Sequence, residues 1–178
     1  CLARRAFPSP FRGGPGFQGR VPFASSSHRP EVHQPDRFNA GCLHLIEIAD
    51  AVGNQAVVAV VDYRHDGVYL RSGTQRIRWD TVSYSIQCED AGAGEILLQC
   101  IDRDGTMLGY DLDTVREVST AVDIPVVACG GAGTYQHIFD AWKAGASAMA
   151  AGAMWQFTDQ TPKGACKFLK EKGAEVRL

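Results

Sequence analysis

Asp62 ends the apolar run AVVAVVD, Asp102 and Asp104 follow EILLQCI, Gly130, Gly131 and Gly133 follow PVVAC, and Gly152 follows SAMAA. A carboxylate that ends an apolar segment can take up and return a proton, because desolvation disfavours its charged form. Glycines between an apolar segment and a helix start leave backbone N–H groups bare, and such groups hold phosphate. The two chemistries these residues offer are proton transfer and phosphate binding. Each signal also has a structural reading, since Asp caps helices and GGxG supplies positive φ to a tight turn. His65, in a loop, and His137, in the first turn of a helix, read as surface residues. The six Cys at positions 1, 42, 88, 100, 129 and 166 form no CxxC pair and no Cys/His cluster at metal-ligand spacing, so no metal is expected and the compartment reads as reducing; no cofactor is expected either.

Strand-like and helix-like segments alternate from about Leu43 onward and must position these residues. GNQAVVAVVD, EILLQCI, PVVACG and SAMAAGAM each read as a strand covered on both faces, the texture of a parallel sheet. Helices fit between them. Asp80 can cap one that closes at Gly92, and Asp111 can start another with Leu112, Val115, Val118 and Val122 on one face. Thr134 can cap a third that ends at Gly145, and Thr161 with Pro162 opens a last one that stops at Gly173. GVYLRSG, Gly67 to Gly73, forms a small excursion after the first strand. The fold class is α/β, with four βα units, and sites of such sheets lie at the carboxyl ends of the strands. Asp62, Asp102, Asp104, Gly130, Gly131 and Gly152 all fall on that one edge, with Gly152 interrupting the fourth strand.

Composition narrows the partners. The 178 residues are 45% hydrophobic and 21% charged, with a net charge of −2, so no bulk electrostatic case exists for nucleic acid or an anionic membrane. No apolar run approaches the roughly 18 residues of a membrane span, and the expected location is the cytoplasm. Residues 1–40 hold six of the eight Pro, six Arg and two acids without apolar periodicity, the composition of a disordered or non-native segment.

IDRDGTMLGYD, taken with Asp62, GAGEILL, CGGAG and the terminal Val176, Arg177 and Leu178, resembles the cyclase subunit of imidazole glycerol phosphate synthase over roughly Leu43 to Leu178. The related sugar isomerase of histidine biosynthesis has a similar Asp-Gly-Thr turn, but continues Gly-Pro-Asn where this chain has Gly109, Tyr110 and Asp111. Two alternatives stand beside the cyclase. One is a cyclase-like partner of an amidotransferase in surface-polysaccharide sugar amidation, to which GTM, CGGAG and WQFTDQTP are as close. The other is a non-catalytic half-barrel module that binds phosphate.

The resemblance implies a (βα)8 barrel of the TIM type, of which residues 43–178 supply the second half, strands five to eight. It implies that ammonia from a glutaminase partner, a glutamine amidotransferase, attacks a phosphoribulosyl formimino nucleotide. The products would be imidazole glycerol phosphate and an aminoimidazole carboxamide ribotide. By position, Asp62 is then the general acid/base, while Asp104, Gly105 and Ser72 bind substrate. Gly130, Gly131, Gly152 and Ala153 bind phosphate, and Glu95, at the other end of its strand, belongs to the ring that admits ammonia. Departures from the family are Ala153 in place of a frequent Ser, and Gln99-Cys100 in place of Thr-Ser or Asn-Ser. A first-strand Asp and a GGGI phosphate loop are not found in this sequence, so this chain by itself is expected to be inactive.

Overall fold

The computed structural model describes residues 40–176; the expected disorder of residues 1–40 falls outside them except at Ala40. Helix α1, Ala40–Val52, opens the described part. It precedes the first of the four expected βα units and is not among the expected helices, although Cys42, Leu45, Ile46 and Ala49 keep helical spacing and all contact the core or lie within it. A 3-10 turn, Asn54–Ala56, then shortens the first expected strand to β1, Val58–Arg64.

The GVYLRSG excursion is the start of a hairpin, β2 (Gly67–Leu70) and β3 (Gln75–Arg76), that folds back on β1. Helix α2, Thr81–Asp90, β4, Glu95–Cys100, and α3, Leu112–Ala121, follow. Next come β5, Val126–Cys129, α4, Tyr135–Ala144, and β6, Ala148–Met149. Two helices close the order, the short α5, Ala153–Phe157, and α6, Pro162–Glu171. The expected fourth strand is thus only two residues long, and Gly152 lies beyond it as the residue before α5.

Local chemistry accounts for the helix starts. Asp80 accepts from Ser83 N at 2.8 Å, Thr134 from His137 N at 3.2 Å and Thr161 from Gly164 N at 3.0 Å, so three helices carry side-chain caps. Asp111 precedes α3 without capping it, because its carboxylate is engaged elsewhere.

The sheet runs β3-β2-β1-β4-β5-β6, with β1, β4, β5 and β6 parallel and the hairpin antiparallel at one edge. One face of it is covered by helices. Val61, Ile96, Leu98, Val126 and Ala128 point into that layer and are essentially buried, against Cys88, Val118, Ala141, Ala165 and Leu169. On the opposite face the register stacks residues in rows across the strands. Val60, Leu97, Val127 and Ala148 form an apolar row, and Asp62, Gln99 and Cys129 form the next row toward the carboxyl ends. No helix covers this face among the described residues, and Val58 and Val60 stand 50% and 55% exposed on it. Four consecutive βα units with helices on one side and an apolar face on the other make half of a (βα)8 barrel, whose other face would line the interior. No described helix is long and apolar enough to cross a membrane.

Candidate active site at the carboxyl ends of the strands

Asp62 sits half-buried at the carboxyl end of β1, in register with Gln99 of β4, which is in register with Cys129 of β5. Desolvation raises the Asp62 carboxyl above the ordinary range, the direction an acid–base group needs. Burial pushes the Cys129 thiol up, and the charges of Asp104 and Asp62 push it further. Asp62, Asp104 and Cys129 therefore share one electrostatic neighbourhood. Cys129 was legible only as part of ACGGAG; its place beside the acids comes from the β4–β5 register, which no single strand reveals.

The acids of the DRDG turn divide into two roles. Asp102 accepts from His65 N at 3.1 Å and pairs with the His65 ring at 3.2 Å and Arg64 at 3.4 Å. The His65 backbone N–H, then the ring, hold its carboxyl below the ordinary value. Asp102 is thus a clamp on the β1–β2 turn. Asp104 is exposed and makes no salt bridge among the described residues, which leaves its carboxylate available to a ligand. Gly105 beside it has φ +75° and open space around its Cα. Arg103 turns back on its own loop and donates to Gly109 O at 3.2 Å.

The GYD end of the same segment is scaffold. Tyr110 is buried and its hydroxyl donates to Ala150 O at 2.9 Å, tying this loop to the end of β6. Asp111 accepts from Tyr63 Oη at 3.3 Å and from Thr114 Oγ1 at 2.8 Å, which joins the start of α3 to β1. Ten residues of charge and turn chemistry thus connect three strand ends around one carboxylate.

Two amide-rich turns flank the acids. Gly130 and Gly131 have φ of +91° and +103°, and a methyl group on either would overlap backbone, Cys100 O for Gly130 and Gly109 O for Gly131. Gly109 N donates to Gly131 O at 2.7 Å, so the GGAG turn and the DRDG loop are locked together. The structural reading of these glycines therefore holds, whatever the turn binds. Gly152 is different. It is exposed, a methyl added to it would meet nothing within 4 Å, and it and Ala153 open α5 just after β6, the neighbour of β5.

Ser72 lies exposed at the hairpin tip with φ +55°, next to Arg71 at +52°. Gly73 of that tip approaches the Ile101 side chain, so the hairpin reaches over the end of β4, but Ser72 is not in the row of Asp62. Glu95 is at the opposite, amino end of β4, on the same face and in register with Val58. A cleft of about 530 Å³ lies behind the sheet between the hairpin and the starts of α2 and α3, lined by Tyr63, Arg78, Trp79 and Asp111 among others. It includes neither Asp62 nor Asp104 nor the glycine turns, so it is separate from the acid–base row. No group of three or more His, Cys, Asp or Glu able to hold a metal ion occurs among the described residues.

Comparison with known proteins fits this geometry. Residues 43–160 match the family described as "Histidine biosynthesis protein". The imidazole glycerol phosphate synthase subunit HisF of Chlorobium phaeobacteroides (strain BS1) is 41% identical over 139 residues, covering 75% of this chain and 55% of the relative. The protein of the same name from Pyrobaculum aerophilum is 41% identical over 135 residues, 74% of this chain and 53% of the relative. The one from Sulfurisphaera tokodaii is 39% identical over 138 residues, again 75% and 55%. The chain spans about half the length of the curated relatives it matches. On the matched profile, the identity and the half-barrel architecture, this chain belongs to the histidine biosynthesis protein family, among the HisF-type members.

Proposed function

We propose that this chain is the catalytic second half, strands five to eight, of an ammonia-dependent cyclase of the imidazole glycerol phosphate synthase type. The observation that carries the reading is the row at the carboxyl ends: a desolvated Asp62 in register with Gln99 and Cys129, with Asp104 nearby and two amide-rich turns on the adjoining strands. The relatives' name supplies the reaction class. In this reading Asp62 moves the proton during cyclisation of a phosphoribulosyl formimino nucleotide with ammonia, giving imidazole glycerol phosphate and an aminoimidazole carboxamide ribotide. Desolvation raises its proton affinity, the direction that uptake of a proton needs. Asp104, Gly105 and Ser72 contact substrate. Gly130, Gly131, Gly152 and Ala153 provide amides for one substrate phosphate, and Gly152 is the most open of them.

Glu95 belongs to the ammonia entrance, because it faces the same interior from the opposite end of the strands. A glutamine amidotransferase docked at that amino end is the source of ammonia, and the cytoplasm is the place of action. Acid–base work of this kind needs a second placed carboxylate and the second phosphate needs its own anchor; both come from another half-barrel that closes on the Val58–Val60 face. The test is reconstitution. The chain produced alone gives no turnover, and the chain combined with the first four βα units of a HisF relative gives ammonia-dependent imidazole glycerol phosphate. Turnover that persists in Asp62→Asn contradicts the assignment.

A further inference from the structure

Gly133 sits where the glycine turn runs into α4, and both peptide planes around it are held by side chains. Its N–H donates to His137 Nδ1 at 3.2 Å, which pins the 132–133 plane. Its carbonyl accepts from Gln160 Nε2 at 2.8 Å, which pins the 133–134 plane. Gln160 comes from the segment between α5 and α6, beyond the Gly152–Ala153 amides, and its Oε1 accepts from Tyr135 N at 3.1 Å. Thr158 Oγ1 accepts from Gln160 N at 3.1 Å, and Tyr135 Oη accepts from Thr161 N at 2.9 Å. One side chain thus ties the end of the glycine turn and the start of α4 to the α5–α6 segment. A methyl group added at Gly109, whose N–H holds Gly131, would meet the His137 ring at 3.6 Å, so the imidazole lies beside the DRDG loop as well as the glycine turn.

We propose that His137 and Gln160 are positioning residues for the anion turn, an inference that rests on the phosphate reading above. A glycine-rich turn is conformationally permissive, and its planes can rotate unless something fixes them. A rotated plane would aim a carbonyl oxygen, Ala132 O or Gly133 O, at a bound phosphate and repel it. Acceptance of the Gly133 N–H fixes His137 as the tautomer with its proton on Nε2. Neither residue needs to touch the anion. Their effect is to keep carbonyls out of the site by holding the planes on either side of Gly133 against α4 and the α5–α6 segment.

The experiment is a titration of the 178-residue chain with inorganic phosphate, followed by amide shifts of Gly130, Gly131 and Gly152, alongside hydrogen exchange at Gly133. His137→Leu and Gln160→Glu weaken phosphate about tenfold, the scale of one lost hydrogen bond. His137→Asn, whose Oδ1 can accept the same N–H, returns affinity to within about twofold and restores slow exchange at Gly133. Imidazole nitrogen shifts of the wild type show Nδ1 unprotonated and hydrogen-bonded. Wild-type binding with unchanged affinity in His137→Leu and Gln160→Glu overturns the positioning role alone, as does exchange at Gly133 that ignores the His137 variants. Phosphate shifts absent from the wild type overturn the anion reading and the positioning role together.

Discussion

Gly131→Ala and Gly152→Ala are the same chemical change at two glycines of the proposed phosphate site, and the structure predicts opposite consequences. At Gly131 the backbone has φ +103°, where an L side chain costs about 1–2 kcal/mol. The added methyl would overlap Gly109 O, so the two loops must separate. Separation strains the 2.7 Å bond from Gly109 N to Gly131 O, worth about 1 kcal/mol. The sum is about 2–3 kcal/mol, a large share of the roughly 5–15 kcal/mol that holds a domain together. For a domain of this size the unfolding midpoint falls by roughly 10 °C. At Gly152 φ is −115° and nothing lies within 4 Å of the new methyl, so Gly152→Ala changes stability by no more than about 0.5 kcal/mol. Thermal unfolding by circular dichroism on the three proteins decides it. Equal midpoints for the two variants, or a larger loss at Gly152, would refute the claim that the GGAG turn is packed against the DRDG loop while the β6 turn is open.

Three further outcomes follow from the same geometry. Because desolvation raises Asp62 above its ordinary value of 3.8, the native state keeps this proton longer than the unfolded chain does, and stability falls as pH rises from 3.8 through the folded value. Asp62→Asn is therefore more stable than wild type at pH 7 and equal to it near pH 3; denaturant midpoints at the two pH values show this, and a less stable variant at pH 7 contradicts it. Burial first, and then the charges of Asp104 and Asp62, hold the Cys129 thiol up, so Asp62→Asn or Asp104→Asn speeds alkylation of Cys129 by iodoacetamide, measured on its peptide by mass spectrometry, and unchanged rates in both place the acids elsewhere. Val58 and Val60 expose an apolar strand face, so the chain produced alone self-associates and Val60→Glu shifts it toward monomer in sedimentation velocity; a monodisperse wild-type monomer means that the face is otherwise covered.

Period and punctuation made most of the fold legible. Asp80, Thr134 and Thr161 announced their helices, and the uninterrupted apolar runs announced β1, β4 and β5, because caps and strand texture are local properties. SAMAAGAM misled, since its small residues suit both the two-residue β6 and the start of α5. Helix α1 was hidden by its place next to the unpatterned residues 1–40. The placement of Asp62 and the glycine turns near the carboxyl ends of the strands was legible because strand ends punctuate the sequence. The split between Asp102, a clamp, and Asp104, a free carboxylate, was not, because it depends on His65 and Arg64 arriving from another strand. Cys129 and Gln160 were missed for a similar reason, since their contacts are made by register or from the α5–α6 segment, whereas His137, read as a surface residue, bonds Gly133 only four residues away once the turn has folded.

The central claim is that Asp62 carries a proton beside a phosphate held by the neighbouring turns, and a carboxyl titration of this one residue tests it. With 13C-labelled aspartate and an Asp62→Asn control for assignment, the Asp62 carboxyl titrates above 3.8 in the free chain. Saturating phosphate moves it higher still, as a nearby anion opposes a second negative charge. A carboxyl that titrates at or below 3.8, or one that phosphate leaves unmoved while the Gly131 and Gly152 amides shift, would separate the proton carrier from the anion site and contradict the account.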